Sequence, residues 1–267
     1  MSSIGATLAA LKREGRTALV PFLTAGDPDL ATTEELIHTL VEAGADLIEL
    51  GIPFSDPMAD GPTIQAASER ALLAGTTLTG VLQLVTRVRE RTNVPIILMG
   101  YYNPVFVFGP ALFALAAAEA GVDGLLLVDV PFEEADEIHT ELKKNGVDLI
   151  SLLAPTTPLA RMRQLAASGE GYLYYVSMTG VTGTQRIDAE AIAAQVCEIQ
   201  KLSPVPVAVG FGITSPDDAA AVARFADAVV VGSALVNIIA AYAGSVKLLP
   251  EVYAFIRSLK EGMRLSV

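Results

Sequence analysis

The sequence predicts an α/β fold, a single (β/α)8 barrel over residues 1–267. Three observations carry that prediction. Short apolar runs alternate with amphipathic helical stretches, the pattern of parallel βαβ units. The chain has 267 residues, close to the ~250 typical of such a barrel. One local pattern also recurs before the apolar runs: Ala43-Gly-Ala-Asp46, Ala120-Gly-Val-Asp123, Asn145-Gly-Val-Asp148 and Phe225-Ala-Asp227. Each reads as a helix end, a short loop and then a strand. An open doubly wound sheet usually carries Gly-x-Gly-x-x-Gly after its first strand, whereas Thr24-Ala-Gly-Asp-Pro28 stands here.

Taken in order, Ile4, Leu8 and Leu11 recur at helical spacing and predict an N-terminal helix. Strands follow at residues 18–23, 47–50, 95–99, 124–127, 149–152, 172–176, 205–209 and 228–231. Helices are predicted over 30–42, 78–91, 110–120, 133–145, 159–167, 191–201, 216–224 and 246–259. The long connection after the second strand holds a loop at 53–61 and an extra helix over 62–74, with Pro62 at the first helical position. A short helix follows the eighth strand, from Ala234. Another long connection, 177–188, is rich in Gly and Thr. Barrel chemistry sits on the loops at the carboxyl ends of the strands, so both long connections belong to the reactive face.

Hydrophobic residues make up 52% and charged residues 18%, enough to bury a large core. The net charge of −12 argues against a nucleic-acid or anionic-membrane surface. No signal peptide and no apolar run near the roughly 18 residues of a membrane span is read, so a soluble, cytoplasmic protein is expected. The lone cysteine, Cys197, is read as a small buried hydrophobe. His38 and His139 fall on separate helices, expected to face solvent, and supply no credible metal site.

Chemistry must then run on carboxylates, tyrosines and backbone groups. Glu49 lies in an apolar strand, sharing a face with Leu47, and the closest basic residue down the chain is Arg70. A buried carboxylate without a cation is costly, so desolvation is expected to raise its pKa and suit it to carry a proton at neutral pH. Asp60, before Gly61-Pro62, fits a helix cap and a functional carboxylate equally well. Asp56 reads as a turn residue, and Asp27 and Asp129 as turn or loop formers at strand ends. Gly212 and Gly232-Ser233 follow the last two strands, where barrels often bind phosphate on backbone N–H groups. Ser215-Pro-Asp-Asp218 reads as a helix N-cap.

The segments Pro21-Phe-Leu-Thr-Ala-Gly-Asp-Pro28, Glu49-Leu-Gly-Ile-Pro-Phe-Ser-Asp-Pro-Met-Ala-Asp-Gly-Pro62, Met99-Gly-Tyr-Tyr-Asn-Pro104, Gly180-Val-Thr-Gly183 and Gly210-Phe-Gly-Ile213 resemble the tryptophan synthase alpha subunit family. The likeness covers nearly the whole chain. It implies a TIM-barrel lyase that splits indole-3-glycerol phosphate into indole and glyceraldehyde 3-phosphate by a retro-aldol reaction, with no cofactor. Glu49 matches the family's acid/base, and Asp60 the carboxylate facing the indole N–H. Phe22, Ile64, Tyr101, Leu126, Tyr174 and Phe211 match the indole pocket. Gly183, Gly212, Gly232 and Ser233 match the phosphate binders, and Thr182 a lid residue. The implied partner is the pyridoxal-phosphate beta subunit in an alpha2beta2 heterotetramer, with Asp56 and the Asn103-Pro104 region near the interface. A stand-alone lyase releasing free indole would use the same residues. A binding protein or another phosphosugar barrel fits less well. The first would not need both carboxylates, and the second generally shows an aspartate pair or a catalytic lysine.

Overall fold

The computed structural model describes residues 2–176, 189–210 and 212–264. Among them are eight strands: β1 (Ala18–Thr24), β2 (Ile48–Gly51), β3 (Ile96–Gly100), β4 (Gly124–Leu127), β5 (Asp148–Leu153), β6 (Leu173–Val176), β7 (Val207–Gly210) and β8 (Ala228–Val231). Every neighbouring pair is parallel, and β8 pairs with β1 to close the barrel. The outer ring is α2 (Leu30–Ala43), α4 (Leu78–Arg89), α6 (Pro110–Ala120), α7 (Asp136–Lys144), α8 (Leu159–Ala167), α9 (Ala189–Leu202), α10 (Pro216–Ala223) and α12 (Leu248–Arg264), which packs between α10 and α2 and closes the ring. Added to these are α1 (Ser3–Arg13), α3 (Pro62–Leu73), α5 (Tyr102–Phe108) and α11 (Ser233–Tyr242). The predicted (β/α)8 barrel and its extra helices are borne out.

Strand alternation divides the core in two. Ile48, Leu50, Leu98 and Leu125 face outward and pack with helix residues such as Leu36, Ile37 and Leu84. Leu47, Ile97, Leu126, Ile150, Tyr172 and Tyr174 face inward and fill the barrel, as its packed interior requires. Ile4, Leu8 and Leu11 of α1 join that inner cluster, so α1 plugs the amino-terminal mouth. Ser2 Oγ fastens it there by donating to Asp148 Oδ2 at 2.5 Å.

Three of the four recurring aspartates have a shared task at that lower rim. Asp46 accepts the Leu19 N–H at 2.7 Å, Asp123 the Ile96 N–H at 2.8 Å, and Asp227 the Val207 N–H at 2.9 Å. The N–H of each of these aspartates donates back to the carbonyl of the same residue. Glu170 does the side-chain half for Leu149, at 3.1 Å. Strands pair off as β1/β2, β3/β4, β5/β6 and β7/β8, each pair tied at the first or second residue of its first strand. Each carboxylate also has a partner able to carry positive charge: Lys260 for Asp46, Arg89 for Asp123, His139 for Glu170 and Lys12 for Asp227. The Gly44 before Asp46 ends α2 at φ 107°, a left-handed conformation that a Cβ disfavours.

Three local expectations, on His38, Cys197 and His139, fail, and one helix was not foreseen. His38 is buried, not solvent-facing, and its Nε2 has no partner among the described residues. Desolvation lowers its pKa, so a neutral ring fills the site as an aromatic wedge. Cys197 is exposed, not buried, because Ile192, Val196 and Ile199 make the core stripe of α9 and Cys197 lies one step off it. The segment 102–108, with its proline, forms α5, where Pro104 falls in the first turn and needs no N–H donor. His139 is half-buried against Glu170 at 2.9 Å.

Candidate active site

The upper mouth gathers the predicted site residues that lie within the described segments. Alternation turns Phe22, Thr24, Glu49 and Gly51 inward, and Phe22 pairs in register with Glu49, which pairs in register with Ile97. Glu49 is fully buried. Its Oε1 accepts a hydrogen bond from the Tyr172 hydroxyl at 2.5 Å, while Oε2 has no partner among the described residues. Burial pushes its pKa up to about 8, against the opposing effect of the Tyr172 bond. The Tyr172 and Tyr174 hydroxyls are raised well above their ordinary range by burial and by the Glu49 charge, so they stay neutral. Arg70, the nearest cation along the sequence, does not serve Glu49. Its guanidinium is spent on Asp27 at 2.8 and 2.7 Å. Asp27 is 2% exposed and is therefore an ion-pair anchor and not merely a turn former.

Asp60 is half-buried and is not a helix cap. The N-cap of α3 is Gly61, and no side chain caps that end. Its neighbour is Tyr101, whose hydroxyl accepts the Ala59 N–H at 2.9 Å and also bonds the Asp60 carboxyl. Burial raises the Asp60 pKa, with the Tyr101 bond opposing; Tyr101 itself is pushed up to about 12, chiefly by burial and then by the Asp60 charge. Phe22, Thr24, Asp60, Ile64, Ser68 and Tyr101 line one crevice. Phe54 packs on Tyr101 with ring centroids 5.1 Å apart. Leu126 and Tyr174 lie in the inner cluster with Tyr172. Gly210 permits this packing, because an added Cβ would stand 2.2 Å from the Tyr174 hydroxyl.

At the far side of the mouth, Gly232 caps the start of α11 and Ser233 is its first residue. The backbone N–H groups at such a start are open to an anion. A Cβ on Gly232 would touch Phe22 at 3.7 Å, so this helix start adjoins the crevice. Gly212 follows β7 at φ 77°. The predicted N-cap Ser215 forms a capping box with Asp218 at the start of α10, and Asp129 accepts the Tyr102 N–H at 2.9 Å. Asp56 sits in an exposed turn, accepting from Ser55 at 2.6 Å. Thr182, Gly183 and Phe211 lie outside the described residues.

Sequence reasoning missed Tyr172, Thr24 and the Asp27–Arg70 pair. Tyr172 and Tyr174, two apart, were a readable signal, since such spacing aims two hydroxyls at one face. A larger cavity of ≈ 260 Å³ lies elsewhere, between the β4–α7 connection, β5 and α8. Its charged side chains are Asp129 and Arg161, the latter paired with Glu133 at 2.9 Å, so it lacks the buried carboxylates of the mouth. Among the described residues no group of three His, Cys, Asp or Glu side chains is placed to hold a metal.

The profile of the family described as "Tryptophan synthase alpha chain" matches residues 8–264. The tryptophan synthase alpha chain of Citrifermentans bemidjiense is 54% identical over 263 residues, covering 98% of both chains. That of Geobacter sulfurreducens is 53% identical over 98% of this chain and 99% of its own. Among solved structures, tryptophan synthase subunit alpha from Legionella pneumophila superposes with a TM-score of 0.92 at 44% identity, covering 99% of both chains. Tryptophan synthase from M. tuberculosis in its aminoacrylate-bound form gives 0.88 at 32% identity, over 99% of this chain and 100% of that one.

Proposed function

The chain belongs to the tryptophan synthase alpha chain family, the lyase subunit that cleaves indole-3-glycerol phosphate in tryptophan biosynthesis, and we propose that Glu49 and Asp60 carry out that cleavage here. The observation that carries the reading is the fully buried Glu49, held by Tyr172 and raised to about 8, beside the crevice that contains Asp60.

The difficulty of the reaction is that the indole ring must leave as a carbanion equivalent. A Glu49 that holds its proton at neutral pH acts first as an acid and protonates ring carbon C3. With Tyr172 donating to Oε1, the transferable proton resides on Oε2. The ring is now an indolenine cation, and the Asp60 carboxylate accepts its N–H and stabilises the charge. The side-chain hydroxyl then gives its proton to Glu49, its oxygen becomes the aldehyde oxygen, and the C–C bond electrons return to the ring. Glu49 ends with the proton it began with, so no cofactor enters the balance.

Phe22, Ile64, Tyr101, Leu126 and Tyr174, with Phe211, form the indole slot in this reading, and an apolar slot with few polar groups suits that ring. Gly212, Gly232 and Ser233, with Gly183, bind the phosphate, and Thr182 acts as the lid residue. One barrel domain over residues 1–267 does this chemistry. The family implies a beta subunit as partner. We assign its docking face to the mouth side, where Met58, Phe106 and Val107 are exposed apolar side chains that a partner would cover. An alpha2beta2 assembly, with pyridoxal phosphate confined to the beta subunit, completes the proposal. No single helix among the described residues is long and apolar enough to cross a membrane, in keeping with the cytoplasmic location we propose.

The test is indole release from indole-3-glycerol phosphate by wild type and Glu49→Gln, each with and without a beta subunit. Loss of more than about a hundredfold in the variant is expected of a general acid/base. An unchanged rate ends the assignment. Equal turnover with and without the beta subunit would favour the stand-alone lyase.

A further inference from the structure

Helix α3 begins two residues after Asp60, so its placement sets the placement of that carboxylate. The link is direct: the Gln65 side chain donates to the Asp60 carbonyl at 2.8 Å. Yet the packing of α3 is thin. Its buried residues are Ala67, Ser68 and Ala71, whereas α2 buries Leu36, Ile37 and Leu40, and α12 buries Val252, Ile256 and Leu259. Alanine methyls bury little area and interlock poorly, so they resist sliding and rotation weakly.

Arg70 and Thr76 supply the missing constraint. From the inner side of α3, Arg70 gives Nε to Asp27 Oδ1 at 2.8 Å and Nη2 to Oδ2 at 2.7 Å. A two-point fork fixes both distance and angle. Asp27 belongs to the connection after β1, where the Gly26 N–H is bonded to Thr33 at 3.0 Å. Thr76, just past α3, packs so closely on Gly26 that an added Cβ there would stand 1.8 Å from its hydroxyl. The Asp46, Asp123 and Asp227 ion pairs also take a strand N–H and tie the barrel together. In the Asp27 pair, by contrast, both carboxylate oxygens go to Arg70, at the reactive rim.

We propose that Asp27 and Arg70 are positioning residues: a latch that locks α3 against β1 and so aims the Asp60 carboxylate at the indole nitrogen. This rests on the reading of Asp60 as the indole partner. Because the Asp60 bond strengthens as positive charge develops on the ring, misplacing it slows the chemical step more than it weakens substrate binding.

The experiment is steady-state cleavage of indole-3-glycerol phosphate, in complex with the beta subunit, by Asp27→Asn, Arg70→Gln, Arg70→Lys and Asp27→Asn/Arg70→Gln, with Asp60→Asn as reference. Each single neutral variant is expected to lower kcat about tenfold or more with KM within about twofold, the scale of a small misplacement of a reacting group. The double variant should be no worse than the worse single one, and Arg70→Lys should recover part of the loss. The latch is overturned by a kcat within twofold of wild type in a folded neutral variant, by losses that multiply in the double, or by a KM effect alone. If neither Arg70→Gln nor Arg70→Lys folds, the pair is scaffold and the latch is likewise rejected. An inactive Asp60→Asn beside active Arg70 variants sinks only the latch, whereas an active Asp60→Asn sinks the reading beneath it.

Discussion

The two rims of this barrel use the same kind of side chain for opposite ends. At the lower rim Asp46, Asp123 and Asp227 each receive a strand N–H and a cation. At the upper rim Glu49 receives one neutral hydroxyl, and Asp60 shares a tyrosine. A carboxylate offered a cation and an N–H is a fixed charge that ties strands together. A carboxylate buried with only a hydroxyl keeps its proton to higher pH and can hand it over. What separates scaffold from chemistry here is what the fold brings to the carboxyl group, not the residue type.

That contrast breaks if a lower-rim carboxylate proves to matter for turnover. Asp123→Ala should cost about 3 kcal/mol of stability, because it removes the counter-charge of Arg89, which keeps only the Gly121 and Val94 carbonyls, and orphans the Ile96 N–H. Chemical denaturation should register that loss, while kcat per folded molecule stays at the wild-type value. A kcat that falls with stability intact would contradict the division.

Glu49→Gln should do the reverse at the upper rim. Glu49 has a folded pKa of about 8 against an ordinary value of 4.5, so between those values the folded state holds a proton that the unfolded state releases. Wild-type stability therefore falls as pH rises from 4.5 to 8 and is level beyond either end. Glutamine does not ionise, so the variant should be roughly 3 kcal/mol more stable than wild type at pH 7, narrowing to under about 1 kcal/mol by pH 5. Urea titrations at the two pH values measure it. A variant less stable than wild type at pH 7 would show that the site is not under this strain.

The smallest effect sharpens the lower-rim account. Lys12 meets Asp227 at 3.0 Å but is 69% exposed, so Lys12→Ala should change stability by less than about 1 kcal/mol. A larger loss would mean that exposed cations hold the rim as firmly as Arg89.

Periodicity made much of this legible in the sequence. The strands, the outer helices and the face that Glu49 shares with Leu47 follow from period 2 and period 3.6, which are local. The pairs that assign roles are not local: Tyr172 lies 123 positions from Glu49, Tyr101 comes from the end of β3, and Arg70 stands 43 positions from Asp27. Asp-Gly-Pro therefore could not reveal whether Asp60 capped a helix. The answer lay in Gly61 taking the cap and Tyr101 taking the carboxylate. The aspartate recurring before four of the strands was visible as a pattern, but its clamp needs the strand register. Cys197 and His38 were misplaced because residue type was weighed above helical phase and side-chain packing.

The central claim is that Glu49 carries a proton at neutral pH because the fold buries it without a cation. The most direct measurement is the titration of its side-chain carboxyl by 13C NMR, with Glu49→Gln identifying the resonance. A midpoint near 8 is the predicted result. A midpoint near the ordinary 4.5 would contradict it.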